Sequence, residues 1–224
     1  MGIKNSTINT SALTVAGFSE GTLTMLLDIL ESQDSFPTIN VVNNLGIKSN
    51  HKIEHTKFKI NLVEKRECLD DPIVIGVTKP HSRKKISKVF SLEQEKNLLN
   101  LISKKSDISK NVNMGNGIVI NSSSCIAGQT KIGDFVFINR SVSIGHHSII
   151  GAFTSINPGV NIAGNVTIGE CCQIGMGANI IDGITIGENT IIGAGSLVTK
   201  NIPSNVVAYG NPCKIIRENE TQSI

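Results

Sequence analysis

The stretch Ser148–Gly169, SIIGAFTSINPGVNIAGNVTIG, sets isoleucine at 150, 156, 162 and 168, six residues apart each time. Outward from there the interval holds without an insertion. Ile102, Ile108, Met114, Ile120, Ile126, Ile132, Ile138 and Ile144 precede it; Ile174, Ile180, Ile186, Ile192 and Val198 follow. A period of six is neither the 3.6 of an α-helix nor the two of a strand. It predicts a hexapeptide β-solenoid, a three-sided prism in which each short strand sends one residue inward and eighteen residues complete a coil. Residues eighteen apart then lie one above another, so separation in sequence reads as position in space.

A second inward site is expected four residues after each of these ruler positions. Val112, Ile118, Ser124, Thr130, Val136, Val142, Ser148, Thr154, Val160 and Val166 occupy it, small or β-branched side chains that suit a narrow prism. Glycine often follows the ruler directly, as at Gly133, Gly145, Gly151, Gly169, Gly175, Gly187 and Gly193. The expectation is that these glycines supply unusual corner dihedrals. The ruler positions make between five and six coils, each rising about 4.8 Å. After Val198 the period dissolves around Pro203, Gly210, Asn211 and Pro212 into a cap.

The first hundred residues have a different grammar. Ala12–Ala16 reads as a buried strand, and Leu23, Leu26, Leu27 and Leu30 give a helical face ending near Ser32. Ile39–Val42 is a second strand, Pro72–Gly76 a third, and residues 82–97 are expected to be helical. This order predicts a small parallel sheet of Rossmann type, with ligands at the carboxyl ends of the strands. Gly17-x-x-x-Gly21 is not a dinucleotide fingerprint, and Asn43 stands where an acidic ribose partner belongs. Those glycines either approach a phosphate through backbone N–H groups or simply make the turn. The basic run from Lys79 to Lys88 reads as a solvated helix face, with Lys79 the member best placed to touch a ligand.

Composition narrows the classes. A formal charge of +3 and 4% aromatic residues do not suit a nucleic-acid partner. No apolar run reaches membrane-spanning length. Cys68, Cys125, Cys171, Cys172 and Cys213 show no metal-ligand spacing, and their odd number suits a reducing compartment, so a cytoplasmic protein is expected.

The hexads, with GENTIIGAGS at 187–196 and the closing Tyr209-Gly210-Asn211-Pro212-Cys213-Lys214, resemble the left-handed parallel β-helix acyltransferases. With the Rossmann-like unit in front, the chain is similar to the subgroup of sialic-acid O-acetyltransferases and bacillosamine-type sugar N-acetyltransferases. The resemblance implies a Rossmann-like acceptor-binding domain over 1–100 and a left-handed β-helix with its cap over 101–224. It implies acetyl-CoA as donor without a metal, a nucleotide-linked amino sugar as acceptor, and a homotrimer with sites between subunits. The subgroup carries its catalytic histidine in a segment like Ser143–Gly151, which places that role on His146. The next family position is usually acidic and orients the imidazole; here it is His147. His147 could polarise His146, bind a substrate phosphate when protonated, or point into solvent. Implied acetyl-CoA contacts fall on Ser155, Gly164, Met176 and Ala194, and sugar-nucleotide contacts on Gly17, Ser19, Asn43, Asn44 and Gly76.

The ruler bears on these residues independently. His146, Gly164, Met176 and Ala194 each sit two places after a ruler residue, at a prism edge. His146 and Gly164 differ by eighteen and share one edge; Met176 and Ala194 also differ by eighteen but share another. A second subunit is the natural way to bring two edges together. Histidine can take the proton from an incoming amine or hydroxyl, and a glycine N–H can meet the developing oxyanion. Direct transfer is expected, since neighbouring Cys171 and Cys172 should point opposite ways with no histidine in their hexad. Lys200, Lys214 and Arg217 are either contacts for the phosphates of CoA or solvated cations. An O-acetyltransferase of sialic acid or a related sugar and a catalytically silent scaffold stand as alternatives. A zinc-dependent carbonic anhydrase would need three convergent histidines, and the repeats contain only His146 and His147.

Overall fold

In the computed structural model, which describes residues 10–42, 55–63, 71–92 and 97–220, the chain opens with a parallel sheet. Its elements are β1 (Ala12–Phe18), α1 (Glu20–Ser32), β2 (Thr38–Val42), β3 (Ile60–Val63), β4 (Ile73–Gly76) and α2 (Pro80–Val89). The strand order is β3-β2-β1-β4, all parallel. Alternate residues Leu13, Val15, Ile39 and Val41 face α1 and bury its Leu23, Leu26, Leu27 and Leu30. Ser19 caps α1 by accepting from the Thr22 N–H.

Two elements depart from expectation. Strand β3 is short and half-buried, with Asn61 in its middle, so it carries little strand signal. Helix α2 ends at Val89 instead of running to residue 97. Pro80 begins it at a position where a missing N–H costs nothing, and Ser91 takes a left-handed φ of 52° just beyond its end.

From Leu101–Ile102 (β5) to Leu197–Val198 (β21), seventeen two-residue strands recur six residues apart. They stack as three parallel sheets whose pairing joins residues eighteen apart, as in Lys131↔Ile149, Phe137↔Ser155 and Ser143↔Asn161. Every ruler residue from Ile120 to Val198 is buried in one continuous core, which includes the second inward positions Val136, Val142, Val160 and Val166. Each buried ruler side chain contributes about 1.5–3 kcal/mol before the entropic cost of ordering it. At four polar second inward sites in the middle coils, the hydroxyl is satisfied by a carbonyl fifteen residues on. Ser124 donates to Asn139 O at 2.8 Å and Thr154 to Gly169 O at 2.8 Å; Thr130 and Ser148 repeat the pattern.

The corners correct the expected role of glycine. Left-handed φ values fall three residues after the ruler, at Ser123, Gln129, Phe135, Ser141, His147, Phe153, Asn165, Cys171 and Asn189, and at Gly117, Gly159, Gly177, Gly183 and Gly195. The glycines directly after the ruler serve a different need. A β-carbon on Gly145 would meet the backbone of Ala163 and Gly164 at 2.5 Å, and Gly133 would strike Ala152 likewise. Coils touch backbone to backbone there.

A hairpin of β22 (Val206–Gly210) and β23 (Cys213–Glu218) closes the prism by extending one sheet. That same sheet carries the amino-terminal domain: Leu101, Val119 and Phe137 join the core of α1 and its strands. Arg83 fastens the seam. Wholly buried, it donates six hydrogen bonds, to the carbonyls of Val77, Thr78, Phe135, Phe153 and Thr154 and to the Ser155 hydroxyl. Desolvation pushes its pKa down to about 9, opposed by the electrostatic effect of Cys171. The basic run is therefore not simply a solvated face. No helix among the described residues is long and apolar enough to cross a membrane.

Candidate active site

The residue two places after each ruler position marks a prism edge, and the three edges differ in chemistry. One stacks Asp134, Ala152, Glu170 and Glu188 beneath α2, where Lys84 pairs with Glu170 and His81 bonds Asn189 at 2.7 Å. A second stacks Arg140, Pro158, Met176 and Ala194. The third carries Lys110, Gly128, His146, Gly164, Asp182 and Lys200, one per coil.

On this third edge the side chain of His146 is exposed to solvent and leans across the next coil. The point where a Gly164 β-carbon would stand lies 2.7 Å from His146 Cε1 and 3.0 Å from its Nε2. Only glycine leaves room for the ring. The backbone beneath is pinned by Asn165 N–H donating to His146 O at 2.8 Å, and by His147 N–H donating to Gly128 O at 3.2 Å. The Gly164 N–H has no hydrogen-bond partner among the described residues. A neighbouring edge illustrates what such an N–H can do: Asn116 N–H donates to the Asp134 carboxylate, one coil on, at 2.7 Å.

His147 occupies a left-handed corner with φ 59°, and its ring lies edge-on to that of His146, centroids 5.2 Å apart. Their Nδ1 atoms are 3.1 Å apart and hydrogen-bonded. One Nδ1 carries the proton and the other accepts it. With His146 as donor, its Nε2 keeps a lone pair on the side of Gly164. Of the roles open to His147, contact with His146 is the one its ring makes.

Met176 and Ala194 are exposed on the second edge of the same subunit, so within one chain they do not join His146. Ser155 corrects an expectation. It is buried in the seam, donating to Thr78 O and accepting from Arg83, so its hydroxyl faces the amino-terminal domain and not an open cofactor groove. Lys200, Lys214 and Arg217 are exposed, the last bonded to Glu218 O at 2.9 Å.

Gly17, Ser19 and Gly76 converge at the carboxyl ends of β1 and β4. There the strand order reverses direction, the usual crevice for a ligand in an open α/β sheet. Gly17 has φ 66° at a bulge, and its carbonyl packs where a Gly76 side chain would be. Lys79 is exposed at the start of α2. Asn43 and Asn44 lie outside the described residues. Burial raises the thiol of Cys171 to about 11 and that of Cys172 to about 12, leaving both protonated near neutrality. No group of three His, Cys, Asp or Glu among the described residues could hold a metal.

Sequence reasoning passed over Arg83 as a fastener and Asp182 as a member of the histidine edge. The second was there to be read, since 182 is 146 plus two coils. Arg83 had no such signal, because its partners are carbonyls brought in by the fold.

Residues 165–200 match the bacterial transferase hexapeptide (six repeats) family. No curated protein matches the chain by sequence. Among solved structures, the acetyltransferase domain of PglB from Neisseria gonorrhoeae FA1090, in complex with acetyl coenzyme A, is similar at 23% identity and TM-score 0.81, covering 93% of this chain and 100% of that one. PerB from Caulobacter crescentus, in complex with CoA and GDP-perosamine, is similar at 24% identity and TM-score 0.77, covering 93% and 98%. WeeI from Acinetobacter baumannii AYE gives 23% and 0.79, covering 92% and 100%. Residues 165–200 thus carry the hexapeptide repeat, and along nearly its whole length the chain has the fold of these acetyltransferases, a left-handed β-helix with a Rossmann-like domain in front.

Proposed function

We propose that this protein transfers an acetyl group from acetyl-CoA to the amino group of a nucleotide-linked amino sugar, with His146 as general base. The observation that carries the reading is the stacking of His146 over Gly164, whose side-chain space the imidazole Nε2 borders at 3.0 Å and whose own N–H has no partner among the described residues. His146 Nε2 takes a proton from the acceptor amine as its nitrogen attacks the thioester carbonyl. The Gly164 N–H donates to the oxygen that becomes negative. Collapse breaks the carbon–sulfur bond, and the CoA thiolate recovers the proton from the imidazolium. No acyl-enzyme forms, in keeping with the protonated state of Cys171 and Cys172.

The donor groove is completed by a second copy of the chain in a homotrimer, whose Met176–Ala194 edge approaches His146. Ile149, Met176 and Ile181 are large apolar side chains left in solvent by a single subunit, and such surface favours association. The acceptor's nucleotide is assigned to Gly17, Ser19, Asn43, Asn44 and Gly76. An amino sugar is favoured as acceptor by the GDP-perosamine held in the PerB structure.

The test is release of free thiol from acetyl-CoA by purified protein across a panel of nucleotide-linked sugars. Stimulated release with an amino sugar, absent with its hydroxyl counterpart, is expected. Release only with hydroxyl acceptors, or with none, overturns the proposal.

A further inference from the structure

The side chain missing at Gly164 leaves a gap in the histidine edge, and a second group enters it from the far side. The position of a Gly164 β-carbon is 3.0 Å from Asp182 Oδ1, as it is from His146 Nε2. Imidazole and carboxylate therefore converge on one space from coils on either side of Gly164. The carboxylate is held there. Its Oδ1 accepts from Asn165 Nδ2 at 3.2 Å, and Asn165 is itself anchored through its N–H to His146 O. Gly183, directly after Asp182, donates its N–H to Gly164 O at 3.1 Å and ties the same turn down.

Resting on the proposed role of His146, we infer that Asp182 is its positioning residue, supplying from two coils away the negative charge that His147 cannot provide. With His146 as donor, His147 accepts at Nδ1, but an imidazole has no negative charge to offset the one His146 gains when it takes a proton. A carboxylate beside that ring favours the imidazolium and keeps it turned toward Gly164. The other titratable groups on this edge and its corner are Lys110 (two coils before His146), His147 and Lys200. Lys200 follows Asp182 by one coil, on the side away from His146.

Asp182→Asn keeps the shape and the bond to Asn165 while removing the charge. The expected result is a loss in kcat of about tenfold, the order that a screened carboxylate a few ångströms away contributes to an imidazolium. KM for acetyl-CoA should hold, and the acidic limb of the pH–rate profile should move to lower pH. Asp182→Glu should recover part of the rate, and Asp182→Asn should cost nothing further in a His146→Ala background. NMR titration of the His146 ring reads the same coupling without turnover: its midpoint moves to lower pH in Asp182→Asn. An unmoved midpoint together with unchanged kcat overturns the role of Asp182. A moved midpoint in a protein that transfers no acetyl group overturns the proposed function and leaves the coupling standing.

Discussion

The imidazole of His146 lies over the α-carbon of Gly164, eighteen residues along the chain and one coil away, and occupies the space of a side chain that glycine lacks. Gly164 does not have a left-handed φ, so alanine there brings no backbone strain. Its methyl group would fall 2.7 Å from Cε1 and push the ring aside. Gly164→Ala should therefore lower kcat by about 10²-fold, the scale on which a displacement of about 1 Å is felt. Circular dichroism and the mass in solution should be those of the parent.

Replacing His146 with alanine should reduce turnover by roughly 10²–10⁴-fold, the contribution of a positioned base. Affinity for acetyl-CoA, measured by calorimetry, should hardly change. If activity survives in His146→Ala and is lost only in His147→Ala, the base is His147.

His147 is constrained twice, by its left-handed φ of 59° and by its bond to His146. Asparagine tolerates that corner and offers an oxygen acceptor, whereas valine does neither. His147→Asn should keep kcat within a few-fold of the parent, and His147→Val should lower both kcat and the melting temperature. Equal loss in the two variants would point to a role for the second imidazole beyond accepting one proton.

Arg83 joins the two halves through carbonyls of both. Arg83→Met strands the carbonyls of Val77, Phe135 and Phe153, while Thr78 O keeps the Ser155 hydroxyl and Thr154 O keeps the Phe137 N–H. The cost should be about 3 kcal/mol, the upper end for stranding buried polar groups. Scanning calorimetry should register it, and limited proteolysis should now separate the domains.

The buried thiols give a pH signature. Cys171 and Cys172 lose protons at about 11 and about 12 in the folded protein, against 9.0 ordinarily. From pH 9 upward the unfolded chain gives up these protons first, so stability falls as pH climbs toward those higher values. Cys172→Ala should flatten the decline, read as chemical unfolding midpoints between pH 8 and 11. At pH 8, iodoacetamide should label exposed Cys125, leave Cys171 and Cys172 unmodified, and spare activity.

Periodicity made the solenoid legible because each coil repeats one local problem, a strand of two residues and a corner. The placement of His146 over Gly164 followed from arithmetic on that repeat. What the arithmetic could not supply was the conformation of each corner. The glycines after the ruler were credited with the left-handed turn that His147 and its equivalents make, when their task is to let coils approach. Ser155 went astray for another reason. Its hexad is regular, but what covers its face is decided by the amino-terminal domain, through an arginine with no periodic signature. Strand β3 was missed because a half-buried strand of four residues is weak evidence for itself.

The three edges of the prism also restrict how this chain can change length. Between the seam at Arg83 and the corner at His146, losing one hexad would leave the inward ladder of ruler residues unchanged in kind. It would also rotate His146, together with Gly164 and Asp182 downstream of it, by a third of a turn relative to the amino-terminal domain. Only gains or losses of whole coils keep the His146 edge in phase with the seam. Length changes that preserve this phase are steps of eighteen residues in that interval, while beyond Lys200 the cap is free of that count.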